Sequence, residues 1–290
     1  MLLVIGFIAV IACVVGGFTW EGGKLAALCQ PAEFLIIGGA AAGSILISTP
    51  MDVLTLLVSQ VKAQFGGHTD KAKYVELLSL QYLLFRVTQQ SGVMALESHI
   101  DDPAASPILS RFPRFLARRD AVEFLSDSFK VIIAGGIAAH DLDDLMQEDL
   151  DIRRDQALRP SQALARIGDA LPGLGIVAAV LGVVVTMGAI DGPPEEIGMK
   201  VGAALVGTFL GIVMAYGFAQ PMASKLEHYV HDESHYLQCI KTGVLAAAKG
   251  FPAVIATEFA RRVVPDVVRP TFDETEQACR SAAKPDAIAA

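Results

Sequence analysis

Two threonines and two prolines are the chemically pointed residues of an otherwise apolar set of segments. Thr186 lies within Leu171 to Ile190, and Thr208 within Val201 to Pro221. A hydroxyl at membrane depth either bonds back to a carbonyl of its own helix or lines a path for water or ions. Pro172 and Pro221 stand at one end of each of these segments. Pro172 admits two readings. Proline is accepted in the first turn of a helix, where its missing N–H has no intrahelical partner; alternatively Pro172, with Gly173 and Gly175 beside it, forms part of a moving element. Pro221 follows an unbroken helical pattern that "KLEHYVHDESHYLQCIKTG" continues. There it is expected to remove a backbone hydrogen bond and bend the helix, at a cost of ~3 kcal/mol.

Four apolar segments carry or flank these residues: Leu2 to Phe18, Phe34 to Thr49, Leu171 to Ile190 and Val201 to Pro221. A helix needs roughly 20 apolar residues to cross the hydrocarbon core. The second segment reaches that length only by recruiting its flanks. The first lacks a basic leader and an A-x-A-like cleavage site, so it is expected to be retained as a span. None of the four contains an Asp, Glu, His, Lys or Arg. A proton or cation path normally needs a titrating carboxylate or imidazole at that depth. Either another chain brings the acid, or the spans only anchor a soluble domain. Gly39-xxx-Gly43, Ala178-xxx-Gly182 and Gly207-xxx-Gly211 place small residues one turn apart, as in tightly packed membrane helices, within one chain or between chains.

Charge sets the expected orientation. Residues 51–170 hold 13 Lys and Arg and residues 224–290 hold 8, whereas the connections 21–33 and 191–200 hold one each, Lys24 and Lys200. By the positive-inside rule the long stretches and both termini are cytoplasmic. The sequence therefore predicts an all-α integral membrane protein. Its expected domains are spans one and two with an outer hairpin (1–50), a helical cytoplasmic domain (51–170), spans three and four (171–223), and a cytoplasmic C-terminal helix with a polar, disordered tail (224–290). In "KYVELLSLQYLLFRVTQQSG", Val75, Leu77, Leu78, Leu80, Leu83 and Leu84 recur at helical spacing up to Gly92. In "HDLDDLMQEDLDIRRD", Leu142, Leu145, Met146 and Leu150 share one side opposite a run of acids.

Composition excludes several functions. The chain is 53% hydrophobic and 19% charged, with a mean hydropathy of +0.48, too apolar for a soluble domain and too charged for spans alone. A net charge of −8 argues against nucleic acid. Cys13, Cys29, Cys239 and Cys279 have neither disulfide-framework nor zinc spacing. No nucleophile and base, phosphate loop or cofactor motif stands out, so an enzyme is not expected.

The stretches "GDALPGLGIVAAVLGVVVTMG" and "VGTFLGIVMAYGFAQPMASKLE" resemble the MotA family of flagellar motor stator subunits, within the MotA/TolQ/ExbB proton-channel superfamily. So do "GGFTWEGGKLAALCQPAEFLIIGGAAAGS", "SGVMALESHIDDP" and "EFARRVVPDVVRPTFDETE". The resemblance implies a homopentamer in the bacterial inner membrane, surrounded by lipid and without a cofactor. It implies a MotB-like partner whose single span carries the ion-binding Asp, and torque on the rotor protein FliG. By that resemblance Thr186 and Thr208 line the ion path, Pro172 and Pro221 shape conformational coupling, and Glu97 is one of two rotor-facing charges. The other, an Arg in the family, falls on Gln89, and Arg86 one turn earlier is the candidate substitute. Protons are the default ion. A TolQ/ExbB-like energiser of an outer-membrane system and a passive scaffold are the competing readings; four spans favour the stator.

Overall fold

The computed structural model describes residues 2–65, 70–188 and 190–284, and no strand occurs among them. The helices are α1 (Leu2–Trp20), α2 (Pro31–Ser48), α3 (Met51–Ala63), α4 (Lys71–Ser91), α5 (Arg119–Ala134), α6 (Ala139–Met187), α7 (Pro194–Ile212), α8 (Gln220–Ala248), α9 (Ala253–Val263) and α10 (Phe272–Ala282). A single turn, Leu25–Leu28, precedes α2, and a π-helix, Val213–Ala219, joins α7 to α8. The chain divides into two units, residues 1–67 with 157–229 and residues 68–156 with 230–290. Both α6 and α8 contribute residues to each unit. The first unit thus carries helical residues beyond each of the expected apolar segments.

Four helices or helix pairs of the first unit are long and apolar enough to cross a membrane: Leu2–Trp20, Leu25–Ser48, and stretches within Ala139–Met187 and Pro194–Ala248. The second segment does recruit its flank, through the Leu25–Leu28 turn and the Pro31 start of α2. Lipid offers no hydrophobic gain for helix association, so these helices are held by close van der Waals fit. Small residues supply it. A Cβ added at Gly175 would lie 2.8 Å from the carbonyl oxygen of Gly207, and one at Gly211 would lie 2.6 Å from that of Leu171. At Gly182 it would lie 2.7 Å from the Ala204 Cβ. The small-residue pairs of spans three and four therefore pack on each other within one chain. Gly39 and Gly43 meet nothing comparable. Around this seam Ile37, Ala41, Leu171, Ala178 and Ala215 are buried. Against the π-helix, Phe7 of α1 stacks on Phe218 at 5.1 Å. Val180, Val184 and Leu205 point outward, as lipid-facing residues do.

The second unit has a conventional core, with α9 and α10 packed against α4. Tyr74, Leu77, Leu78, Leu80, Leu83, Leu84 and Phe85 of α4 are buried. Gly92 ends α4 at φ 82°, a left-handed conformation that glycine adopts without penalty. Leu142, Met146 and Leu150 of α6 are buried, but Leu145 is half exposed. The buried stripe advances four residues at a time and is too narrow for it. Gln81 lies fully buried in this apolar setting and donates to the carbonyls of Cys239 and Ile240. The "RPTFDETEQACR" stretch forms α10, opened by a capping box between Thr271 and Glu274. Lys71 adds an ion pair to Glu274, and these contacts hold its carboxyl at about 2. The expected tail follows Arg280; its first two residues belong to α10, which runs to Ala282, and residues 285–290 lie outside the described residues.

The seam makes a direct prediction. Gly211→Ala forces a methyl group against backbone and should destabilise the purified protein by about 1–3 kcal/mol, as overpacking does. Gly39→Ala should leave the melting temperature unchanged. Equal melting of both variants would show that α6 and α7 are not this close.

Candidate functional site

The residues that sequence reasoning placed in the ion path fall on the α6–α7 seam. Thr186 is fully buried and its hydroxyl donates to the Gly182 carbonyl at 2.8 Å. The hydroxyl thus bonds back to its own helix. Thr208 is half-buried, next to Gly207 and facing Gly175, whose Cβ would lie 3.3 Å from the Thr208 Cα. Between these positions sits a residue that the sequence reading missed. Glu33 belongs to the first turn of α2, is 6% exposed, and reaches Gly182 and Gly207 of the seam. A Cβ at Gly207 would strike its carboxylate, and one at Gly182 would lie 3.6 Å from Oε1. The expectation that the spans hold no Asp, Glu, His, Lys or Arg is therefore corrected. An apolar run that begins at Phe34 excludes Glu33 by one residue, whereas the helix begins at Pro31. Proline at a helix start was the available signal.

Pro172 lies in the interior of α6, 33 residues after its start at Ala139. Its reading as a first-turn proline is overturned, because the charged stretch before it is helical too. Within membranes such interior prolines are tolerated where neighbouring groups re-satisfy the freed carbonyls. Pro221 lies in the first turn of α8, directly after the π-helix Val213–Ala219. The expected interruption of the helix thus takes the form of a wider turn just before the proline. Such turns accommodate local hydrogen-bond mismatch and recur at functional sites. Between the two prolines runs one polar tie: Gln220 donates to Asp169 Oδ1 at 2.6 Å and to the Ala165 carbonyl at 3.3 Å. Gly168 leaves room for it, since a Cβ there would lie 2.9 Å from the Gln220 amide nitrogen. Both prolines stand within one turn of this tie.

The charged candidates lie in the second unit. Glu97 is exposed at the start of a single turn, Glu97–Asp101. Arg86 is half-buried on α4, its guanidinium 5.9 Å from the Tyr82 ring. Gln89 donates to the Phe251 carbonyl. The arginine cluster is largely engaged inside the unit. Arg111 donates to the Ala282 carbonyl, and Arg118 pairs with Glu233 and stacks 3.9 Å over the Tyr236 ring. Arg114 lies 3.9 Å from both Asp70 and Glu76, and Arg119 is exposed. Burial, helped by the neighbouring Arg118, brings the Lys73 amine down to about 8. Among the described residues, no group of three His, Cys, Asp or Glu is placed to hold a metal ion.

This order of helices and charged turns is shared with characterised proteins. Residues 4–92 match the family described as Motility protein A N-terminal, and residues 119–239 match the MotA/TolQ/ExbB proton channel family. Motility protein A of Escherichia coli strain K12 is 38% identical over 287 residues, covering 98% of this chain and 97% of its own. The chain belongs to the motility protein A family. It is a family of ion-channel subunits, not of enzymes. Chemotaxis protein LafT of Vibrio parahaemolyticus is a second relative, 36% identical over 94% of this chain and 96% of its own. In fold, the chain is similar to the C. jejuni MotAB structure, with a TM-score of 0.74 at 18% identity, covering 91% of this chain and 95% of that one. The flagellar MotAB stator complex of Bacillus subtilis gives 0.67 at 21% identity, covering 88% and 92%.

The Gln220 tie is open to test within this family. Gln220→Leu keeps the bulk and removes both donated bonds, one of them to a charged acceptor. It should destabilise the purified protein by about 1.5–3 kcal/mol and shrink swimming halos in soft agar at equal expression. A variant with parental melting and swimming would reduce the tie to an incidental contact.

Proposed function

We propose that this chain is a stator subunit of the bacterial flagellar motor, which with a MotB-like partner forms a proton channel and couples proton flow to torque. Membership of the motility protein A family carries this reading, because the match runs along nearly the whole chain. Thr186 and Thr208 line the path, and the partner's single span brings the ion-binding Asp. Five copies surround two partner chains in the inner membrane, with lipid against the outward apolar side chains of the first unit. The long stretches and both termini are cytoplasmic, an orientation supported by the placement of Lys and Arg. Glu97 faces the rotor protein FliG, with Arg86 standing in for the family's Arg.

Coupling runs through the ends of spans three and four. Pro172, Pro221, the π-helix and the Gln220–Asp169 tie all occur where the helices leave their apolar segments. A helix with a missing hydrogen bond and a wide turn yields more readily there than a regular one. Titration of the partner Asp would thus be read as a change in how α6 and α8 continue from the membrane. Replacing Pro172 or Pro221 removes that weak point without touching the ion.

Two measurements test the reading. Vesicles containing the chain with its Asp-bearing partner should dissipate a proton gradient, whereas the chain alone should not. Thr208→Trp should block the flux while co-purification persists. Robust flux from the isolated chain, or normal flux through the Trp variant, would sink the channel assignment.

Native cysteines test the orientation. Cys13 lies within span one, Cys29 is exposed between the Leu25–Leu28 turn and α2 near the end of the second span, and Cys239 and Cys279 are buried. Burial pushes both buried thiols up, Cys279 to about 12, which leaves them unreactive. A membrane-impermeant maleimide added to intact, outer-membrane-permeabilised cells should therefore label the parent but not Cys29→Ser. Labelling only after the inner membrane is opened would invert the proposed topology.

A further inference from the structure

The setting of Glu33 is not explained by the channel reading above. Its Oε2 atom is fully buried and has no hydrogen-bond partner among the described residues. The side chain is 94% removed from solvent and lies against Gly182 of α6 and Gly207 of α7. It is therefore aimed into the seam that carries both path threonines. The Gly182 carbonyl already accepts from Thr186, and Gly207 is the residue before Thr208. No charged side chain of α6 between Leu171 and Met187, or of α7 between Val201 and Ile212, faces it. Along the packed elements charged residues next occur at Lys24, before the Leu25–Leu28 turn, at Asp191, after α6, and at Lys200 with Glu196 near the start of α7.

A carboxylate in lipid-depth surroundings without a partner is expensive, and such residues persist where they serve ion or proton movement. A packing role does not require an acid, since a glutamine has the same shape. The two glycines also matter here. Any larger residue at Gly207 would collide with the carboxyl, so the seam is open at the one place where Glu33 enters.

We propose that Glu33 is a proton-exchanging group contributed by this chain to the ion path. Resting on the channel reading, the step is a pair of proton transfers. A hydronium from the outer side gives its proton to the Glu33 carboxylate and leaves water. The resulting acid then passes that proton to the carboxylate of the partner helix, which restores the Glu33 anion. No electron moves and no bond other than O–H changes.

The experiment uses the complex of this chain with its Asp-bearing partner, as parent, Glu33→Gln and Glu33→Asp. Infrared difference spectra of the purified complexes across pH should show a protonating carboxyl in the parent that is absent from Glu33→Gln. Vesicle proton flux should fall about 100-fold in Glu33→Gln, the lower bound for loss of a general acid–base group, and recover substantially in Glu33→Asp. Parental flux through Glu33→Gln, or spectra in which no carboxyl signal depends on Glu33, would overturn the proposal. Should the parent complex carry no flux, the channel reading falls, and the infrared signal alone decides whether Glu33 exchanges a proton.

Discussion

Gly175, Ala178 and Gly182 meet Gly211, Gly207 and Ala204 almost backbone to backbone, and the membrane unit is organised around that approach. In hydrocarbon no solvent drives two helices together, so the depth of contact has to come from the absence of side chains. The closeness has two effects beyond adhesion. It sets Thr208 against Gly175, three turns along α6 from Thr186, and between these levels it leaves room for a side chain from a third helix. Glu33 fills it. A polar strip thereby arises beside stretches, residues 171–187 and 201–212, whose exposed side chains are apolar.

The elements were legible in the sequence wherever one physical signal dominated. Length and hydropathy located the spans, and the i, i+4 spacing of Leu80 with Leu84 and of Met146 with Leu150 marked buried faces of α4 and α6. Small-residue spacing identified the seam but not its partner. Three motifs looked alike, and only contact geometry separates the two that face each other from Gly39 and Gly43, which do not. Glu33 was hidden by a boundary. An apolar run ends at its first charge when read as composition, whereas a helix ends where its hydrogen bonds do.

Pro172 and Pro221 illustrate the same limit from the other side. Both were recognisable as interruptions, but a sequence does not state how the backbone absorbs one. In α6 the helix continues through Pro172 from a charged stretch that looked like a separate element. At Pro221 the accommodation is a seven-residue π-helix, for which no composition signal exists. Gln220 was likewise invisible. Its importance depends on Asp169 and Ala165 lying opposite, and on Gly168 leaving the space.

The seating of Glu33 also bears on how the chain is made. α1 has no buried residue and a mean hydropathy of 2.7, so it can enter the bilayer unaided. The second span is weaker, with a mean hydropathy of 1.5, and it carries a carboxyl whose cradle is not yet synthesised. Gly182 and Gly207 leave the ribosome only after the whole intervening domain, a delay of roughly 10 to 35 s at bacterial elongation rates. During that interval the second span must be sheltered at the insertion machinery, held at the interface, or inserted with its acid facing lipid. Biogenesis of this protein therefore has a waiting step, and the last two spans to emerge are the ones that end it.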